Sequence, residues 1–272
     1  MKRLSAFNVT SLTIGFAFLY LPMILLVIYS FNASKLVTVW AGFSTRWYGE
    51  LFQNEAFLDA AWVTLKVAVV SSTLATVLGT MAAYVLVNAG RFFGRTLFSG
   101  MIYAPLVMPE VITGLSLLLL FIGIGLDRGV LTIVLAHTTF AMCYVSVVVS
   151  SRLISFDRSL EEAALDLGCN RFDAFRLVTL PIIAPAVISG WLLAFTLSLD
   201  DLVIASFVAG PSSTTLPIKI WSAVRLGVSP EINALSTLMI GIVTVGVISA
   251  SLVTKRNAVR ADRDARAAER TA

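Results

Sequence analysis

The sequence predicts an all-α integral membrane protein of six transmembrane helices with both termini in the cytoplasm. Composition, the length of the apolar runs and the placement of basic residues lead there. Of 272 residues, 58% are apolar and 13% charged, against about 25% charged in ordinary soluble domains. A hydrocarbon core about 30 Å thick is crossed by roughly 20 residues at 1.5 Å rise each. Runs of that kind lie at about 11–31, 62–88, 101–125, 129–150, 182–208 and 234–254. Basic residues are preferentially retained on the cytoplasmic side during insertion. With both termini inside, the inner segments hold Lys2, Arg3, Arg91, Arg95, Arg152, Arg158, Arg171, Arg176, Lys255, Arg256, Arg260, Arg263, Arg266 and Arg270. The outer loops hold only Lys35, Arg46, Arg128, Lys219 and Arg225, with Lys66 left inside a span. The net charge of +4 is therefore first a topology signal and second a match to anionic lipid head groups.

The opening Met-Lys-Arg and apolar stretch could suggest a signal peptide. The apolar part is too long and no small-x-small site follows it, so it is expected to remain as the first span. The third and fourth spans are joined only by GLDRG at 125–129, which predicts an antiparallel hairpin. Pro105 and Pro109 lie in the third span, where they can kink or break the helix and free backbone groups to line a cavity. Cys143 and Cys169 make neither a disulfide framework nor a metal site and read as packing residues. The lone His137 reads as a hydrogen-bonded packing residue rather than a proton relay. The tail at 255–272 is charged and Ala-rich, a solvated helix or a disordered end.

Between the fourth and fifth spans lies SRLISFDRSLEEAALDLGCNRFDAFRLVTLP, the inner stretch with most local design. Ser159 and Glu162 have the spacing of a capping box, which predicts a helix start. Leu160, Ala163, Ala164 and Leu167 then recur as one apolar stripe. Gly168 can take positive φ and stop the helix. Asn170 can cap a second short helix, with Asp173 three residues on, and Pro181 closes the segment before the next span. The expected product is a helix–turn–helix over about 159–177 on the cytoplasmic side.

Glu162-Ala163-Ala164, three residues, Gly168, nine residues, Val178, one more, then Leu180-Pro181 resembles the signature of membrane-spanning permease subunits of binding-protein-dependent ABC importers. Val178 stands where the family usually has Ile, a volume-tolerant change. The resemblance implies the ABC importer permease fold, with this segment as the coupling helix. It also implies that Glu162, Ala163, Ala164, Gly168 and Pro181 belong to the contact with a partner ATPase. No lysine follows a glycine in the chain, so it lacks the phosphate-cradling loop of an ATPase. The chain is therefore expected not to be an enzyme and to hold no cofactor or metal, with ATP and Mg²⁺ bound by the partner.

TLSLDDLVIASF, at 196–207, puts Asp200 and Asp201 inside an apolar run, where burial disfavours charge. A span starting at Pro181 places Asp200 roughly 28 Å up the helix, in the outer half of the membrane. Glu110, in the third span, would lie about 14 Å from the inner end. Lys66 is the one cation in a span and cannot neutralise three carboxylates. The missing positive charge is then expected from the substrate: a di- or polycationic amine suits carboxylates beside aromatic faces, and Trp191, Phe195 and Tyr103 lie in the same spans. Each residue has a structural alternative: Asp201 bonded to a neighbouring helix or to Lys66, Glu110 protonated, Trp191 a packing or interfacial residue. The small residues Ala184, Ala186, Ser189, Gly190 and Ala194 offer close helix packing in the fifth span.

The blocks APLVMPEVITGLSLLLLF, GWLLAFTLSLDDLVIASFVAGP, LPIKIWSAVRLGVSPEINAL and FLYLPMILLVIYSFNASKLVTVWAGFSTRWYGELF are similar to the second permease subunit of spermidine/putrescine importers, the putrescine type above all. That resemblance implies a multi-pass protein of the bacterial inner membrane. Its implied partners are a second, homologous permease, two copies of an ATP-binding cassette ATPase and a periplasmic polyamine-binding protein. Membrane lipid surrounds it, and no nucleic-acid partner is expected. The outer loops, about 32–60 and 209–233, hold Trp40, Trp47, Tyr48, Trp221, Lys219 and Arg225 as docking candidates. Two rival readings remain: a proton-coupled secondary amine transporter using Glu110 and Asp200 as proton sites, and an ABC importer permease for another small solute.

Overall fold

The computed structural model describes residues 5–36, 39–226, 230–242 and 244–245. These fall into two units, one of the described residues up to 55 and from 223 on, the other of 56–222. The first unit opens with α1 (Ala6–Tyr29), none of whose apolar window is buried. After it, Asn32 organises the loop: its Nδ2 donates to Val39 O, and its Oδ1 accepts from the backbone N–H of Ser34 and Ala41. Trp47, on α2 (Arg46–Gln53), is buried and donates Nε1–H to Asn32 O at 2.6 Å. Trp47 is thus a core residue of this loop and not available for docking, whereas Trp40 is half exposed.

The second unit is built on α3 (Glu55–Asn88), α6 (Val130–Ile154) and α9 (Leu180–Leu199). Small residues let these helices approach. A Cβ at Gly79 of α3 would come within 2.8 Å of Val145 Cβ on α6, and one at Gly190 of α9 within 3.2 Å of Val145 Cγ1. Val145 is therefore clasped from both sides, within a core that includes Ala75, Ala141, Val149, Ile183 and Ala194. Of the small residues expected to serve packing, Gly190 and Ala194 are buried, while Ser189 is exposed.

The third span is not one helix. α4 (Arg95–Val107) and α5 (Glu110–Gly123) meet at 118°. Pro109 supplies no N–H and pushes Met108 out of the helical region, to ψ 136, so the ladder stops there. The depth estimated for Glu110 along a straight span no longer applies, because Glu110 sits at the bend. Nor does the expected hairpin form as a packed pair: α5 rests mainly on α10 (Val203–Val208) and much less on α6.

The fifth span differs at both ends. α7 (Ser159–Asp166) and α8 (Arg171–Ala174) form as expected, but Pro181 does not close the segment. A π-helical turn at Phe175–Thr179 carries α8 into α9, and the helix runs unbroken for 29 residues, Arg171–Leu199. A proline removes one donor from the ladder, and a widened turn ahead of it accommodates the misfit. At about 1.5 Å per residue, that helix is longer than a hydrocarbon core is thick. It ends at Leu199, so Asp200 and Asp201 lie in a break ahead of α10.

Among the described residues, four helices are long and apolar enough to cross a membrane, or five if the bent pair is one span. α11 (Leu216–Leu226) follows α10, its first N–H donated to Thr64 Oγ1 of α3 at 2.7 Å. Residues 230–242, here α12, are helical. The rest of the sixth expected span apart from 244–245, the tail at 255–272 and both chain ends lie outside the described residues.

Candidate functional site

The break at 200–202 is made by Asp201. Its Oδ1 accepts from Ile204 N–H at 3.2 Å and its Oδ2 from Ala205 N–H at 2.8 Å, so the carboxylate takes up free donors at the start of α10. Oδ2 also lies 2.8 Å from His137 Nε2 on α6, with both side chains largely buried. That approach lies off the direction of a hydrogen bond, so it is a close polar contact and not a hydrogen bond. The other ring nitrogen of His137, Nδ1, is 2.7 Å from Ser198 Oγ, which in turn is 3.1 Å from Ser71 Oγ on α3. A polar chain thus ties α3, α6 and α9 to the break. His137 is the hydrogen-bonded packing residue that the sequence suggested.

Asp201, expected beside Asp200 on the path, instead turns into the bundle, where it has backbone and His137 partners. Asp200 is exposed, and among the described residues its carboxylate meets no partner side chain. Glu110 is exposed at the first turn of α5. α5, which begins at Glu110, and α10, which follows Asp200, meet in one packing contact. A Cβ on Gly114, one turn after Glu110, would fall 2.7 Å from Phe207 and 3.3 Å from Ile204 Cα, one turn after Asp201. Lys66 is drawn elsewhere, its Nζ 5.5 Å from the centre of the Trp62 ring.

Trp191 and Phe195 stack at 5.2 Å and 9°, and Trp191 Nε1–H donates to Thr73 Oγ1 of α3 at 3.1 Å. Tyr103 packs with Ala82, Leu86 and Ile102.

At the inner loop the helix start differs from the capping box. Asp157 Oδ1 accepts Ser159 N–H at 3.0 Å; Ser159 is already helical and its side chain caps nothing. Hydrogen bonds from Ser159, first its side chain and then its backbone, hold the Asp157 carboxyl below the usual carboxylate range. Asn170 does cap α8, its Oδ1 accepting Asp173 N–H at 2.9 Å, and Gly168 ends α7 at φ +94. The apolar stripe is open: Leu160 is 46% and Leu167 88% exposed, with only Ala164 of α7 buried. Glu162 and Ala163 are exposed beside it. The helix thus leaves Leu160 and the neighbouring Leu167 as an exposed apolar patch.

Residues 75–262 match the family of binding-protein-dependent transport system inner membrane components. The chain belongs to that family. It is 60% identical over 250 residues to the putrescine transport system permease protein PotI of Escherichia coli (strain K12), covering 90% of this chain and 88% of that one. It is 43% identical over 244 residues to the spermidine/putrescine transport system permease protein PotC of the same strain, covering 90% and 92%. A bacterial ABC transporter involved in the import of the acidic polysaccharide alginate contains a chain of the same fold: TM-score 0.71, 18% identity, 94% of this chain and 99% of that one.

One residue and one pairing of this permease were not foreseen from the sequence. Glu161, rather than Glu162, is tied into the protein: Oε1 accepts from Tyr84 O–H at 2.8 Å and Oε2 from Thr179 O–H at 3.0 Å. Its signal was available, since Glu161 and the buried Ala164 are three residues apart and share a helix face. His137 as the partner of Asp201 had none, because 64 residues separate them.

Proposed function

We propose that this chain is one of the two permeases of an ATP-driven polyamine importer, with putrescine the leading substrate. Glu110 and Asp200 would line the path, and the segment at 159–177 would receive a partner ATPase. The single observation that carries the substrate class is the exposed Asp200 at the helix break, an acid left without a partner side chain beside an acid that has several. An ammonium group satisfies such a carboxylate. The two relatives, a putrescine and a spermidine/putrescine permease, support the same class.

The full assembly would add a second, homologous permease, two ATPase copies that bind ATP and Mg²⁺, and a periplasmic polyamine-binding protein. Closure of the ATPases would push on α7 and α8 and rock the spans from outward- to inward-facing, while the binding protein delivers the cation. This chain transmits the free energy of hydrolysis and shapes half of the path.

The test is ATP-dependent uptake of labelled putrescine into vesicles carrying the assembled complex. Asp200→Asn is expected to raise KM for putrescine at least roughly tenfold, the scale of one charge-assisted contact, with complex yield unchanged. An unmoved KM would sink Asp200 as a substrate contact. Glu162→Lys is expected to abolish coupled uptake while leaving insertion intact. Undiminished uptake with ATPase co-purifying in normal yield would remove the coupling role. Uptake lost on collapsing the proton gradient with ATP maintained would favour a proton-coupled carrier instead.

A further inference from the structure

We infer that Glu161 is a positioning residue, a strut through which movement of α7 reaches α3 and α9. The inference rests on the coupling reading above and deepens it. The carboxylate has one oxygen on each of two helical segments: Oε1 on Tyr84 near the end of α3, Oε2 on Thr179 at the last residue of the π turn. Thr179 is fully buried, so the second contact lies inside the protein.

Packing alone does not seat α7. Ala164 is its one buried residue, and between α7, α8 and the end of α3 opens a groove of about 780 Å³ lined by Met81, Tyr84, Asn88, Glu161 and Phe172 among others. Across it, α7 is joined to α3 by Glu161 and by Arg158 Nη2 donating to Val87 O at 2.9 Å. Where apolar contact is sparse, displacement passes through such discrete links rather than through a continuous packed wall.

The place where Glu161 grips the long helix matters as much. A π turn is a local expansion, and Pro181 lies two residues beyond it, so the ladder is weakest here. A pull on Thr179 acts where the helix bends or rewinds most readily. The same helix ends beside Asp200, so movement started at α7 arrives at the acid on the path. Glu162 takes no part in this internal link; it is the exposed neighbour left to the partner.

The experiment uses the complete complex in vesicles and compares Glu161→Gln, Thr179→Val and Tyr84→Phe with the parent. Putrescine taken up per ATP hydrolysed is expected to fall roughly tenfold in Glu161→Gln and roughly threefold in each of the others, the scale of one lost hydrogen bond. The ATPase rate and complex yield should stay near parental values. A parental ratio in all three variants would overturn the strut. Should Glu161→Gln fail to assemble, Tyr84→Phe, which removes a single oxygen, decides. A second readout needs no substrate: spin labels at Asp166→Cys and Thr196→Cys, with Cys169→Ser and the buried Cys143 retained. The label distance should change on ATP trapping in the parent and not in Glu161→Gln. An equal change in both, or none in the parent, refutes the strut. If the intact complex takes up no putrescine, the substrate assignment fails while the distance measurement still decides the strut.

Discussion

Just ahead of the helix that runs from Arg171 to Leu199, Glu161 turns inward to Tyr84 and Thr179 while Glu162 stays in water. Just past its other end, Asp201 turns inward to His137 and the start of α10 while Asp200 is exposed. Each pair of neighbouring acids is split into one that holds the fold and one left for something else. The surroundings differ. Beside Asp201 lies a void of about 10 Å³, room for at most one water, and Gly114 allows α5 to lie directly on α10. Around Glu161 there is a groove of about 780 Å³. The same device therefore sits in a closed setting at the break and beside an open groove at the segment 159–177.

The sharpest way to break this comparison is to remove the inward acid at the tight end. Asp201→Leu removes the contact of His137 Nε2 and leaves the first donors of α10 unsatisfied in a packed interior, and is expected to cost at least about 1–3 kcal/mol. Asp200→Leu should stay within about 0.5 kcal/mol. Thermal unfolding of the purified complex compares them; equal losses would mean that the two aspartates do not differ in role.

Two glycines sharpen the contrast next. Gly114 is needed for space, since its Cβ would strike Phe207 at 2.7 Å. Gly168 has nothing within 4 Å and is needed for its φ of +94. Gly114→Ala should cost about 1–3 kcal/mol through overpacking, and Gly168→Ala about 1–2 kcal/mol through backbone strain. Asparagine tolerates positive φ but is larger. Gly168→Asn should therefore recover most of the loss and Gly114→Asn should worsen it. Thermal unfolding of the four variants reads the pattern, and rescue at both positions or at neither would contradict it.

These cases mark where the sequence was legible. Apolar run length and the spacing Glu162–Pro181 depend on local chemistry and can be read along the chain. So can the cap at Asn170 and the stop at Gly168. The break in the third span was foreseeable in kind from Pro105 and Pro109, but not in size, because the 118° angle follows from what α5 packs against. Pro181 misled: the sequence suggests a stop, yet a π turn absorbs it, a cost that tertiary packing decides. The split of the aspartates could not be read, because the group that selects Asp201 over Asp200 is His137, on another helix.

The smallest expected effect concerns the aromatics first assigned to the path. Trp191 and Phe195 stack on each other, and the indole N–H reaches Thr73 of α3, so the pair reads as a tie between α9 and α3. Trp191→Phe keeps a stack and loses one neutral hydrogen bond, worth about 0.5–1.5 kcal/mol. Thr73→Val removes the same bond from the other side. If the pair is a tie, the double variant should be no less stable than the worse single one, since both delete one interaction, and KM for putrescine should not move. If the indole instead faces the cation, Trp191→Phe alone should raise KM, Thr73→Val should leave it unchanged, and the two stability losses should simply add. Uptake kinetics beside thermal unfolding of the three variants separates the cases, and we expect the first. A ring already paired by its face to Phe195 and by its N–H to Thr73 has less of itself to offer an ammonium ion than the open carboxylate of Asp200.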